Sequence, residues 1–155
     1  MKLSENFSLN EFTKSQTAVR RGIPNDPTEE YLENLKALVE NVLQPSRDSK
    51  GQPISISSGY RSVRLNTAIG GSGNSQHCKG EAADFEINGL DNYELAEWIS
   101  TFITEFDQLI LEYYITGEEN SGWIHCSYSH TKNRKSILTA TKKNSKIQYL
   151  PGLIR

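Results

Sequence analysis

The chain has little of what marks several common classes of protein. Its 155 residues include only two cysteines and three histidines, and 17 basic against 19 acidic side chains leave a formal net charge of -2. Two cysteines cannot build the disulfide framework of a small secreted domain. Without a basic excess, a nucleic-acid partner is not expected, and the basic turn Lys132–Lys135 is interpreted as a solvated surface.

Long apolar runs are also missing. No stretch approaches the roughly 18 apolar residues that a membrane helix needs, so no membrane insertion is expected. The first residues contain no apolar segment of a secretory signal. We therefore expect a protein made in the cytoplasm without a signal peptide, which would need another route of release to act outside the cell.

The helix and strand signals that are present fit one domain over residues 1–155. Ser8 and Glu11 form a capping box, and a long helix is predicted from an N-cap at Asp26 to a stop at Pro45. Other elements are predicted as helices at 62–68 and after Asp91, and strands at 54–57, 82–87, 107–114, 123–128 and 136–141. This order indicates an α+β fold, with a central, mostly antiparallel sheet and helices packed on one side.

Two of the three histidines lie in segments that could supply a metal site. His77 and Asp84 share the run Ser75–Asp84, and His125 follows Trp123 and Ile124. Two imidazoles and one carboxylate leave the fourth position of a tetrahedral Zn²⁺ open, as in catalytic zinc sites. The same ligand set also suits non-haem Fe(II). From spacing alone, three unrelated polar residues are an equally good interpretation.

The predicted hairpin supplies a candidate general base. If its turn is centred between Glu118 and Glu119, Glu112 pairs directly with His125 and their β-carbons are about 5 Å apart. A carboxylate there could take a proton from water that a bound Zn²⁺ has acidified. A slip of one residue would turn Glu112 to the other face, so Glu118 and Glu119 remain alternative candidates.

The motifs around these residues extend over most of the chain, from about residue 6 to residue 130. They resemble the zinc D-alanyl-D-alanine carboxypeptidase family, which shares its fold with the Hedgehog signalling domain, and in particular its short phage and bacterial branch. The segments that carry the resemblance are Asn6–Phe12, Leu43–Pro45, Ser58–Ser62, Asn66, Ser75–Asp84, Phe106–Ile110 and Trp123–His125.

The resemblance implies a role for each matching residue. His77, Asp84 and His125 match the ligands of one Zn²⁺ ion. Arg61 matches an arginine that binds substrate and stabilises the developing oxyanion, and Ser75 matches a serine that contacts substrate. The better-known members have a glutamate a few residues before the second histidine, where this chain has none. Glu112 is therefore the favoured base.

The function implied by the resemblance is zinc-dependent hydrolysis of peptide bonds in the stem peptides of peptidoglycan. The enzyme would be a D,D-carboxypeptidase or an endopeptidase, and is expected to be a monomer. It would act on the cell wall after release, as a bacteriophage lysin does, or as part of a virion. The alternatives are a zinc-stabilised cell-wall-binding module of the same fold without catalysis, and an Fe(II) oxygenase. Cys78 and Cys126 are expected to be small buried thiols, with a disulfide or ligand role left open.

Overall fold

One mixed sheet of six strands carries three of the candidate site residues, Asp84, Glu112 and His125. The computed structural model describes all residues, Met1–Arg155. The six strands are β3 (Ser55–Ser58), β4 (Ala82–Glu86), β5 (Gln108–Glu112), β6 (Trp123–Ser127), β7 (Ser136–Lys143) and β8 (Lys146–Pro151), and a separate two-stranded sheet pairs β1 (Lys2–Ser4) with β2 (Phe7–Ser8). The helices are α1 (Leu9–Thr13), α2 (Gln16–Arg21), α3 (Glu29–Leu38), α4 (Gln44–Lys50), α5 (Val63–Ala68) and α6 (Asn92–Phe102), with a π-helical segment at Val39–Leu43 and a 3₁₀ turn at Gln76–Lys79.

The order of strands in the large sheet is β3-β4-β6-β5-β7-β8. Only the β5–β7 pair is parallel, and the other four pairs are antiparallel. Alternate residues of β4, β5 and β6, among them Phe85, Leu111 and Ile124, point into one apolar core. The helices α3 and α6 pack on this core, and Leu95 of α6 is one of its members. The predicted α+β fold with helices on one side is confirmed, and the opposite face of the sheet is free to carry a site.

The predicted end of the long helix at Pro45 is wrong. α3, the π-helical segment and α4 follow one another without a break from Glu29 to Lys50. A proline inside a regular α-helix clashes with the carbonyl four residues earlier. Here the amide of Gln44 bonds the carbonyl of Val39, five residues back, and this wider turn just before Pro45 lets the helix continue. The N-cap is Thr28, not the predicted Asp26.

The other predictions differ from the structure mainly at the ends of elements. The capping box of Ser8 and Glu11 is confirmed. α2, which the sequence analysis does not predict, runs to Arg21 and ends at left-handed Gly22. β8, which the sequence left undefined, returns along β7 through a tight turn with positive φ at Asn144 and Ser145. No helix is long and apolar enough to cross a membrane.

Candidate metal centre

His77 is held by one hydrogen bond at its backbone amide and one at its ring. It is buried in the 3₁₀ turn, whose first amides are capped by the hydroxyl of Ser75, which accepts from the His77 amide at 3.2 Å. Its Nδ1 lies 2.7 Å from the carbonyl oxygen of Gly59. Because a carbonyl only accepts, Nδ1 carries the proton and Nε2 keeps its lone pair. A ring fixed in this way is typical of metal-binding histidines.

Asp84 and His125 come together because their strands are neighbours. β4 and β6 are antiparallel, and Asp84 is the direct register partner of His125, so both side chains point to the same face. Oδ1 of Asp84 lies 3.0 Å from Nδ1 of His125 and 3.4 Å from Nε2 of His77. One ligand atom from each of the three residues lies within 4.8 Å of the others. The structure therefore brings the three predicted ligands together.

The spacing of these atoms fits a zinc ion. Two ligands that are each about 2.0–2.1 Å from a tetrahedral Zn²⁺ lie about 3.3–3.4 Å apart, close to the separations from Asp84 to the two histidines. Burial would by itself raise the pKa of Asp84, but its hydrogen bond with His125 and the nearby ring of His77 outweigh this effect and hold the pKa well below its usual range. The carboxylate is therefore ionised, as a metal ligand must be.

The predicted pairing of Glu112 with His125 is wrong. Glu112 pairs with Trp123, and the partner of His125 is Ile110. The register differs by two residues because β5 stops at Glu112, where Tyr113 adopts a positive φ of 59° and the chain leaves the strand early. A shift of two residues keeps the side chain on the same face, so Glu112 is a diagonal neighbour of His125.

Glu112 occupies a partly buried position beside the metal centre. The indole Nε1 of Trp123 donates a hydrogen bond to its Oε2. Burial raises the pKa of Glu112, and the negative charge of Asp84 raises it further, against smaller opposing effects of His125, Trp123 and Arg61. A carboxylate with a raised pKa in this position can accept and return a proton near neutral pH.

Arg61 and Ser75 lie next to the three clustered residues. The amide of Arg61 donates to the carbonyl of His77 at 3.1 Å, and its side-chain Nε is buried without a hydrogen-bond partner. Together with Asp84, Arg61 lines a groove of about 1430 Å³ that extends past α1 and α2. The hydroxyl of Ser75 also caps the 3₁₀ turn. The predicted substrate contacts of Arg61 and Ser75 stay predictions.

The remaining candidates are not members of the cluster. Glu118 and Glu119 are exposed in the turn between β5 and β6, where Glu119 accepts a backbone hydrogen bond from Asn92. Cys78 and Cys126 are both free thiols. Cys126 belongs to the apolar core on the other face of the sheet, and burial raises the pKa of both thiols. The expectation of a small buried thiol agrees with the structure for Cys126, whereas Cys78 is only half-buried.

Sequence reasoning missed the residues that hold the turn before His125. Asn92, fully buried at the start of α6, donates from its side chain to the carbonyl oxygens of Ser121 (2.9 Å) and Gly122 (3.3 Å). Gly122 has a φ of +63° and packs directly against the backbone of Glu112. The only signal in the sequence was a glycine just before a strand, and it does not reveal a partner in a distant helix.

Comparison with known proteins agrees with the geometry. No curated protein matches the chain significantly. A family model described as Peptidase M15 matches residues 5–127, which include the three clustered residues and Glu112, Arg61 and Ser75. The match covers well over half of the sequence and has an independent counterpart in the His-Asp-His cluster of the structure. The chain therefore belongs to the peptidase M15 family of zinc-dependent metallopeptidases.

Proposed function

We propose that the protein is a zinc peptidase that hydrolyses peptide bonds in the stem peptides of peptidoglycan, as a D,D-carboxypeptidase or as an endopeptidase. The observation that carries the proposal is the convergence of His77, Asp84 and His125 within 4.8 Å, on the same face of the sheet as Glu112. Family membership supports peptide hydrolysis. The resemblance of the motifs to D-alanyl-D-alanine carboxypeptidases supports the substrate class.

His77, Asp84 and His125 would hold the zinc ion, which supplies Lewis-acid polarisation of the scissile carbonyl and acidification of water. Glu112 supplies the proton transfers. Since Trp123 donates to Oε2, Oε1 remains available to accept a proton from the attacking water and to return it to the leaving amine. The raised pKa of Glu112 makes it a stronger base toward the attacking water, and the leaving amine is basic enough to take the proton back from the carboxyl group.

Arg61 is suited to stabilise negative charge on the substrate. Hydrolysis of an amide builds charge on the carbonyl oxygen, and a fixed cation at that position lowers the barrier. None of the five ion pairs of the chain involves Arg61, and its buried Nε has no partner. Ser75 uses its oxygen to accept from the His77 amide, so its hydroxyl proton is free to bond a substrate oxygen.

The proposed site of action is the cell wall, which the enzyme would reach after release from the cytoplasm as a bacteriophage lysin does, or as part of a virion. The substrate class supports this, because peptidoglycan lies outside the membrane. Adding the purified, zinc-loaded protein to intact and to permeabilised cells checks the proposal. Lysis of cells treated from outside would agree with it, and hydrolysis limited to isolated cytoplasmic precursors would contradict it.

The test of activity is release of new amino groups from purified cell walls and from chemically defined stem peptides, with mass spectrometry of the fragments. We expect Glu112→Gln to lower the rate by about 10²–10⁴-fold while the protein still retains one zinc ion per chain. Glu118→Gln, in the exposed turn, is the matched control and should keep the rate of the unmodified protein.

Other outcomes would contradict parts of the proposal. Full activity of Glu112→Gln would eliminate Glu112 as the base, and loss of activity in Glu118→Gln or Glu119→Gln would assign the base to the turn. If the unmodified protein binds zinc and cell walls stoichiometrically but releases no amino groups, the chain is a binding module without catalysis.

A further inference from the structure

The hairpin of β7 and β8 extends the face of the sheet that carries the metal centre. It pairs with β5 through β7 and forms one edge of the large sheet. The match to the peptidase M15 family ends at residue 127, so the family assignment gives no role to the hairpin, which spans Ser136–Pro151. Its outward surface is therefore a feature of this chain to be explained from its own structure.

The register of four strands aligns one side chain of the hairpin with Glu112. Glu112 pairs with Trp123 on one side and with Ala140 on the other, and Ala140 pairs with Tyr149. Direct partners share a face of the sheet, so the four residues form a single row across β6, β5, β7 and β8. Ala140 has the smallest side chain of the row, and no bulky group of this row separates Glu112 from Tyr149.

Three aromatic side chains surround Glu112 on this face. Tyr149 is 52% exposed, and burial together with the nearby charge of Glu112 raises its pKa. The positive φ of Tyr113 takes it out of the alternation of β5, and its ring centroid lies 5.2 Å from that of Trp123. We call Tyr113, Trp123 and Tyr149 the aromatic platform. Tyr113 and Trp123 are half-buried and Tyr149 is exposed, and a partly exposed aromatic surface beside a carboxylate is suited to pack against peptide groups and aliphatic side chains.

The chemistry of Glu112 decides which part of a substrate reaches this platform. Glu112 would return its proton to the nitrogen of the cleaved bond, so the amine product must lie on the Glu112 side of the metal ligands. The groove bounded by Arg61 and Asp84 lies toward β3, at the opposite edge of the sheet. The residues that follow the cleaved bond would therefore run across β5, β7 and β8.

The dimensions of the sheet set the length of this segment. Neighbouring strands are about 4.8 Å apart, so Tyr149 is about 10 Å from Glu112 at the backbone, and an extended chain covers that distance in about three residues. We propose that the aromatic platform binds the two or three substrate residues that follow the cleaved bond, and that Tyr149 makes the enzyme favour such extended leaving groups. This inference rests on the proposed peptidase function and deepens it by naming a specificity-determining residue.

The test uses two synthetic stem peptides that share the acyl side and the cleaved bond. One releases a single residue and the other a three-residue amine. With the zinc-loaded full chain, Tyr149→Ala should lower kcat/KM for the longer leaving group by about three- to tenfold and leave the shorter one unchanged. Tyr149→Phe keeps the ring and should behave as the unmodified protein, as should Phe102→Ala, which removes an exposed aromatic ring from α6 on the helical side.

The outcomes distinguish this inference from the proposed function. An equal loss on both peptides, or no loss on either, overturns the role of Tyr149 while peptide hydrolysis stands. If the unmodified protein cleaves neither peptide, the proposed function fails, and calorimetric titration with the three-residue amine decides the subsite. Binding that is three- to tenfold weaker in Tyr149→Ala would support the platform, whereas equal or absent binding would overturn it.

Discussion

Gly122→Ala should damage the metal face of the sheet through the backbone of Glu112. At a φ of +63°, an added Cβ would lie 2.7 Å from the carbonyl carbon of Tyr113 and closer still to the carbonyl oxygen of Glu112. These are backbone atoms, so the clash cannot be relieved by a side-chain rotation. The end of β5, the turn, or both must move.

A control for the strain alone exists in the same turn. Gly117 has a φ of +88°, and an added Cβ there meets no atom within 4 Å. Gly117→Ala should cost only the left-handed conformation of an alanine, about 1–2 kcal/mol. Gly122→Ala has this cost and, in addition, about 1–3 kcal/mol for forcing apart packed groups. Urea unfolding of both variants measures the difference.

Hydrolysis gives a second readout. Displacing a reacting group by about 1 Å can cost about 10²-fold in rate, so kcat/KM of Gly122→Ala should fall by about that factor, measured per folded, zinc-loaded molecule at a temperature where both variants are folded. Gly117→Ala should keep the rate of the unmodified protein. Zinc content must be measured too, since His125 is only three residues away. Equal stability and equal rates in the two variants would refute the reasoning.

Three further predictions follow from the structure. Asp107 accepts two side-chain hydrogen bonds from Arg134 (2.8 and 3.0 Å), and this pairing holds its pKa below the usual range. The stabilisation by this pair is therefore complete above the ordinary pKa of about 3.9 and is lost as the pH falls through the lower pKa of the folded state. Asp107→Asn should lower the free energy of unfolding by about 1–3 kcal/mol at pH 7. Urea titrations repeated toward pH 2 should show this difference shrinking. A thiol reagent should label half-buried Cys78 in the folded protein but reach buried Cys126 only after unfolding, which peptide mass mapping would show. Zinc at 100 times its dissociation constant should stabilise the fold by about 2.7 kcal/mol, seen as a higher Tm that a chelator reverses, and an unchanged Tm would contradict a metal site in the native state.

The long helix illustrates where local sequence signals stop being sufficient. Pro45 is a strong stop signal when only its neighbours along the chain are considered. The apolar side chains within and just before the π-helical segment, Leu38, Val39, Val42 and Leu43, are fully buried in the apolar core. Ending the helix at Pro45 would also have cost the packing and hydrogen bonds of the following turn. Tertiary packing therefore favoured a widened turn over a break, and no local pattern in the sequence predicts that choice.

The metal cluster was easier to predict than its surroundings because it depends on few structural facts. Asp84 and His125 need only adjacent antiparallel strands in the right register, and the identities of the residues, together with the family resemblance, indicated which ones converge. The hydrogen bonds from Asn92 to the turn join segments far apart in sequence. The burial of the Arg61 Nε without a hydrogen-bond partner also depends on how distant segments pack around it. Such contacts follow from the completed fold, which motifs and periodicity do not specify.

The position of Glu112 separates what periodicity can predict from what it cannot. Strand alternation assigns each residue to a face, and Glu112 and His125 keep the same face for any shift of an even number of residues. The exact partner depends instead on where the turn closes, which the positive φ of Tyr113 and the packing of Gly122 determine. The error of two residues in the predicted pairing therefore left the predicted face intact. The observed register places Trp123, rather than His125, directly opposite Glu112, and the indole hydrogen bond of Trp123 leaves one carboxylate oxygen free for the proposed proton transfer.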